Sequence, residues 1–134
     1  VEQMKEFQVR DFRKLLVYQK AMEWYGEISD IVKKLPWEEK DVIGKQIRRS
    51  SSSVSANLAE GNGQYYKQKD ISFINNALGS AAETQMWLDA LLQGGYIDQA
   101  THANLDEKAI EIRKMLVAMM KKIKNEIEVK KNIA

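Results

Sequence analysis

Residues 46–61 read QIRRSSSSVSANLAEG, and whether this stretch is a linker or a helix decides the architecture. Four consecutive serines resemble a flexible connector between two domains. Yet Ile43, Ile47, Val54 and Leu58 carry one apolar phase straight through them at four- and seven-residue steps. The spacing predicts a helix over about 38–61 with a small-residue face, opened by acidic residues that suit the positive end of the helix dipole and closed by Gly61 and Gly63. Serine is only a middling helix former, so the tolerance implies a neighbouring helix that approaches closely over the small side chains.

Outward from this stretch, three more segments carry helical periodicity. From Asp11 to about 35, Leu15, Tyr18, Met22, Tyr25 and Val32 form one stripe, and Val17, Ala21, Trp24, Ile28, Ile31 and Leu35 form a second beside it. Asp11 can cap this helix, and Pro36 stops it because proline disfavours helical geometry in the residue before it. A third helix is expected over 67–93, with Ile71, Ile74, Leu78, Ala81, Leu88 and Leu92 in phase and Gly94-Gly95 at its end. A fourth is expected over about 98–128, capped by Asp98, running through Leu105, Ala109, Ile112, Leu116, Met119, Ile123 and Ile127, then fraying into a solvated lysine-rich end. No alternating strand pattern or solenoid repeat competes. Four long helices joined by short breaks predict an all-α, antiparallel up-down four-helix bundle forming one domain over 1–134.

Composition sets the limits of function. The formal charge is +2 and no cysteine is present, so a disulfide framework, a thiolate nucleophile and a cysteine-ligated metal are excluded. No apolar run reaches the roughly 18 to 20 residues of a membrane span, and the charged start, VEQMKEFQVRDF, does not read as a signal-peptide core. A soluble, cytoplasmic protein is expected.

A four-helix bundle raises the di-iron question, but the residue three positions before the only histidine, His102, is Gln99 rather than glutamate. The serines lie on a helix without a nucleophile elbow, far from that histidine. The sequence therefore offers no catalytic residues, metal ligands or cofactor site, and a non-enzymatic protein is expected. Gly61-Asn62-Gly63 lacks the strand and the third glycine of a nucleotide fingerprint and reads as a helix terminus.

Charge is clustered, however. Lys45, Arg48 and Arg49 lie within about one helical turn, and lysine shares a face with both arginines. Such a group can grip phosphate, arginine through its planar fork and lysine as a point charge. The alternative is a solvated face or salt bridges to Asp41 and neighbouring acids. A second cluster, Lys121, Lys122, Lys124, Lys130 and Lys131, is diluted by glutamates. The aromatics, Trp37, Tyr65, Tyr66 and Trp87 among them, suit core or subunit contacts better than base stacking, and Met86-Trp87 suggests an apolar surface for a partner.

Three blocks, DFRKLLVYQKAMEWYGEI, LPWEEKDVIGKQIRRSSSSVSANLAEGNG and GSAAETQMWLDALLQGGYID, together resemble the four-helix-bundle family of proteins encoded by intervening sequences of 23S ribosomal RNA genes, over about residues 11–124. One departure is SSSVSANLAEG, where family members usually carry a proline that bends the helix. The fold is similar to that of the accessory variability determinant of diversity-generating retroelements, a pentameric basic barrel associated with a reverse transcriptase and nucleic acid. The resemblance implies a bacterial-type protein and a ring-like homopentamer, with Lys45, Arg48 and Arg49 as RNA or DNA phosphate contacts. Asn57, Glu60 and Gly61 are then structural, through polar contacts at the helix end. The wide apolar face of the first helix fits an oligomer, since a monomeric bundle needs one stripe per helix. The rival expectation is a scaffold docking a partner protein through apolar surface.

Overall fold

The structure, a computed structural model, describes residues 9–133. Four helices make up the fold: α1 (Leu16–Lys34), α2 (Lys45–Asn62), α3 (Lys67–Gln93) and α4 (Gln99–Ile133). No strand occurs among the described residues. α1 packs on α2 and α4, and α3 packs on α2 and α4, so chain order runs around the bundle. Side-chain pairs fix two of these neighbouring contacts as antiparallel. Ser50 meets Thr84 and Ser53 meets Ser80 between α2 and α3; Lys67 meets Glu126 and Asp89 meets His102 between α3 and α4.

α1 starts later than its sequence pattern suggests. Asp11 does cap a helical turn, its carboxylate accepting from the Arg13 amide, but that turn is a 3-10 helix covering Phe12–Lys14. Leu15 is then extended (φ −68°, ψ 126°) and α1 begins at Leu16. The break turns Phe12 back edge-on against Tyr18, with ring centres 5.0 Å apart. At the other end Leu35 adopts φ −67°, ψ 152° ahead of Pro36, the extended geometry a following proline demands.

The next helix enters through a short α-helical turn, Trp37–Glu39, and a π-helical turn, Lys40–Gly44. Gly44 is buried there, and a Cβ on it would come 2.9 Å from Val32 Cγ1, so the wide turn lies directly on the end of α1. α2 runs unbroken through the serines without a proline bend. Its small-residue face is the tight seam with α3. Ser50 Oγ and Thr84 Oγ1 are 2.8 Å apart, Ser53 and Ser80 hydroxyls 2.9 Å, and Ser51 donates back to the Ile47 carbonyl at 2.7 Å. Hydroxyls satisfied in this way can be buried without a desolvation penalty.

Both predicted ends of α3 coincide with the structure. It stops in a Schellman motif: Tyr96 N–H donates to Leu91 C=O, Gly95 N–H donates to Leu92 C=O, and Gly95 takes φ +78°. α4 is capped by Asp98, which accepts from the Thr101 amide at 2.8 Å. It continues to Ile133, past the expected end at 128, and the lysine-rich segment is helix rather than a frayed tail.

One continuous core joins all four helices. α1 contributes Val17, Ala21, Trp24, Ile28 and Val32, so Val32 belongs with the second sequence stripe. The first stripe is only partly covered: Leu15 and Tyr18 lie against the core, whereas Met22 is 41% exposed. Trp24 is fully buried, and its indole donates to the Leu105 carbonyl at 3.1 Å. The buried aromatic therefore leaves no unpaired N–H.

Candidate functional site

The basic turn forms the start of α2, and its three members have different surroundings. Lys45 is exposed and in no ion pair among the described residues. Arg48 is half-buried, with its Nε enclosed and unpartnered. Arg49 accepts no such freedom: it donates to Gln46 Oε1 at 3.1 Å and pairs with Glu83 of α3. Glu83 also accepts from the Trp87 indole at 3.0 Å. The structure thus brings the three cations to one turn but spends the charge of Arg49 on the bundle's own acid. Asp41, the partner suggested by the sequence, forms no ion pair among the described residues.

The three residues singled out in the block after it have different surroundings. Asn57 donates to Ser53 at both its carbonyl (2.8 Å) and its hydroxyl (3.1 Å), steadying the serine that meets Ser80. Glu60 is exposed and acts through its backbone, whose carbonyl accepts from the Gln64 amide side chain at 3.1 Å. Gly61 faces α3 at close quarters: a Cβ there would lie 2.8 Å from Phe73 Cβ and nearer still to the Asp70 carboxylate.

That Asp70 is a residue the sequence did not single out. It is 3% exposed in the first turn of α3, and burial pushes its carboxyl pKa up, against the pull of Arg10 and Lys67. Arg10 Nη1 lies 3.6 Å from it, and Arg10 Nη2 donates to the Gln64 carbonyl at 2.6 Å. This knot ties the segment before α1 to the α2–α3 connection. Its residues lie 54 and 60 positions apart, so no local sequence signal could pair them.

His102 binds Asp89 Oδ1 at 2.7 Å and links α4 to α3. Among the described residues, no three His, Cys, Asp or Glu side chains converge as a metal site, and no helix is long and apolar enough to cross a membrane.

Two open grooves remain. One, of about 330 Å³, lies between α3 and α4 and is lined by Leu78, Ile110, Arg113, Lys114 and Val117. The other, of about 790 Å³, lies where the start of α3 meets the far part of α4; Lys67, Ala118, Lys121, Lys122, Val129 and Lys130 border it. Lys67 bonds Glu126 at 2.6 Å within that groove. Met86 is exposed on α3 and Trp87 packs against the core, so only half of that pair offers apolar surface.

The family described as 23S rRNA-intervening sequence protein matches residues 13–118. Among solved structures, the chain is similar to a protein with unknown function from the S23 ribosomal protein family of Bacteroides thetaiotaomicron. The two share 33% identity and a TM-score of 0.73, over 79% of this chain and 99% of that one. No curated protein matches.

Proposed function

The chain belongs to the 23S rRNA-intervening sequence protein family, and from that premise we propose that it is a non-enzymatic, homo-oligomeric nucleic-acid-binding protein of the cytoplasm, meeting RNA or DNA phosphates through basic side chains. One observation carries this reading. The modest net charge of +2 conceals cations outside the direct ion pairs: Lys45 and Arg48 on α2, and five lysines between Lys121 and Lys131 on α4, form none among the described residues, and Glu126 is the acid that feels Lys122 and Lys130. Cations in such excess suit a polyanion, whose condensed counterions they displace.

Assembly is supported by apolar surface on two sides of the bundle. Met22 and Leu16 are exposed on α1, and the groove of Leu78, Ile110 and Val117 opens between α3 and α4. A head-to-tail contact between such unlike patches forms a ring when its rotation closes, and a ring multiplies each basic patch by the number of copies. A pentamer, and a reverse transcriptase as protein partner, follow by analogy with the accessory variability determinant. The same groove favours a second reading, a scaffold that docks a partner protein there.

The test is anisotropy of labelled RNA and DNA across a salt series. Binding that weakens steeply with salt and falls in Lys45→Ala with Arg48→Ala supports the reading; salt-independent binding, or none, refutes it. Light scattering checks assembly, and a mass of 15.4 kDa at micromolar concentration would refute the oligomer.

A further inference from the structure

The positive charge of this molecule is concentrated at one place, away from the basic turn of α2. Lys67 and the segment from Lys121 to Lys131 carry six lysines against two glutamates. Their local excess is larger than the +2 of the whole chain, so everything else in the protein sums to negative. Helix geometry turns this composition into a surface. Ala118, Lys121, Lys122, Asn125 and Val129 recur at three- and four-residue steps, which places them on one face of α4, and that face forms the wall of the 790 Å³ groove. The one carboxylate inside, Glu126, is already bonded to Lys67, and its pKa is lowered first by that bond and further by Lys67, Lys122 and Lys130. The groove therefore presents a net positive wall whose own acid is spent.

Two aromatic residues lie next to it along the chain. Tyr65 and Tyr66 immediately precede Lys67, which lines the groove, and Tyr66 is the residue from which α3 starts. Their rings meet edge to face at 4.9 Å, and 65% and 63% of the two residues is exposed. Aromatic faces beside a cationic groove are the combination that holds single-stranded nucleic acid: lysines follow the phosphates, and unpaired bases stack on the rings. A duplex keeps its base faces stacked internally and cannot use the tyrosines in this way.

We propose that the lysine face of α4, together with the Tyr65–Tyr66 pair at the start of α3, is a binding site for single-stranded nucleic acid. The site deepens the nucleic-acid reading above and rests on it. Most of it lies past residue 118, outside the residues that the family model matches. The groove's charge selects a polyanion over an apolar helix, and its lysine stems supply the non-polar lining that sugars and bases can lie against.

The test uses the full chain and three labelled probes of one sequence: a 20-nucleotide single-stranded RNA, the same strand as DNA, and the RNA paired into a duplex. Lys121→Ala, Lys122→Ala and Lys130→Ala combined are expected to weaken single-strand binding at least tenfold and to lower the salt slope by about 2. Tyr66→Ala is expected to cost about fivefold or more, the loss of one stacked base, while Tyr66→Phe retains binding. All four positions are exposed, and circular dichroism verifies that the variants fold. Equal affinity for duplex and single strand would overturn the single-strand assignment. Unchanged binding by the triple lysine variant, alongside loss in Lys45→Ala with Arg48→Ala, would overturn this site while leaving the broader reading intact. A triple variant that changes oligomer mass and not affinity makes the face an interface between copies, which also overturns it. Failure of the unmodified protein to bind any probe removes both readings.

Discussion

The indole of Trp24 on α1 donates a hydrogen bond to the carbonyl of Leu105 on α4, 81 positions away, at 3.1 Å in the middle of the core. It adds a buried polar contact between the first and last helices, which the Lys20–Glu111 and Lys108–Glu27 pairs also join nearer the surface. Trp24→Phe keeps most of the volume and removes the donor, and is expected to cost about 2 kcal/mol. Trp24→Ala adds a cavity and is expected to cost about 3–5 kcal/mol. Urea unfolding followed by far-UV circular dichroism measures both.

Two glycines should respond in opposite directions to alanine. At Gly61 the new methyl meets Phe73 and Asp70, and overpacking of this kind costs about 1–3 kcal/mol. At Gly79, inside α3, it meets nothing within 4 Å, so Gly79→Ala is expected to stabilise by about 0.5–1 kcal/mol through helix propensity. Thermal melts of the two variants, at equal protein concentration, should move to either side of the parent.

Asp70 gives a pH dependence of definite sign. Its folded-state pKa is raised, chiefly by burial, so the folded protein holds the proton more tightly than the unfolded chain. Stability therefore falls as pH rises from the ordinary carboxylate pKa through the raised one. Asp70→Asn removes the titration and should flatten that part of the profile, gaining on the parent as pH increases. Urea midpoints between acid and neutral pH check it; a parent profile that rises with pH more steeply than the variant's would refute it.

Glu83 restrains the basic turn by pairing with Arg49. Glu83→Ala frees a third cation beside Lys45 and Arg48, and is expected to raise nucleic-acid affinity a few-fold and steepen the salt slope by about 1. An affinity below that of the parent would show the pair to be needed for the turn's shape rather than masking it.

Where a boundary rests on local chemistry, the sequence and the structure agree. Gly94-Gly95 closes α3, Pro36 ends α1, Asp98 caps α4, and the serines make a close seam, because each signal acts within a turn of its own residue. The start of α1 was not legible: Asp11 caps a turn, but the break at Leu15 follows from packing Phe12 on Tyr18. The end of α4 was misread because lysines and glutamates dilute the apolar stripe without interrupting the helix. Of the candidate site, the grouping of Lys45, Arg48 and Arg49 was legible from spacing alone. The loss of Arg49 to Glu83 and the burial of Asp70 beside Arg10 were not, since they depend on how each helix is rotated about its axis.

The helices are unequal, and this gives the molecule a direction. α4, with 35 residues, reaches about 52 Å at 1.5 Å per residue, roughly twice the span of the 19-residue α1. Its cations sit toward the far end, with five lysines against two glutamates between residues 121 and 131. The attraction that such a cluster exerts on an anion reaches about a Debye length of 8 Å at physiological salt, so within this helix the pull on an approaching anion is strongest along its far stretch.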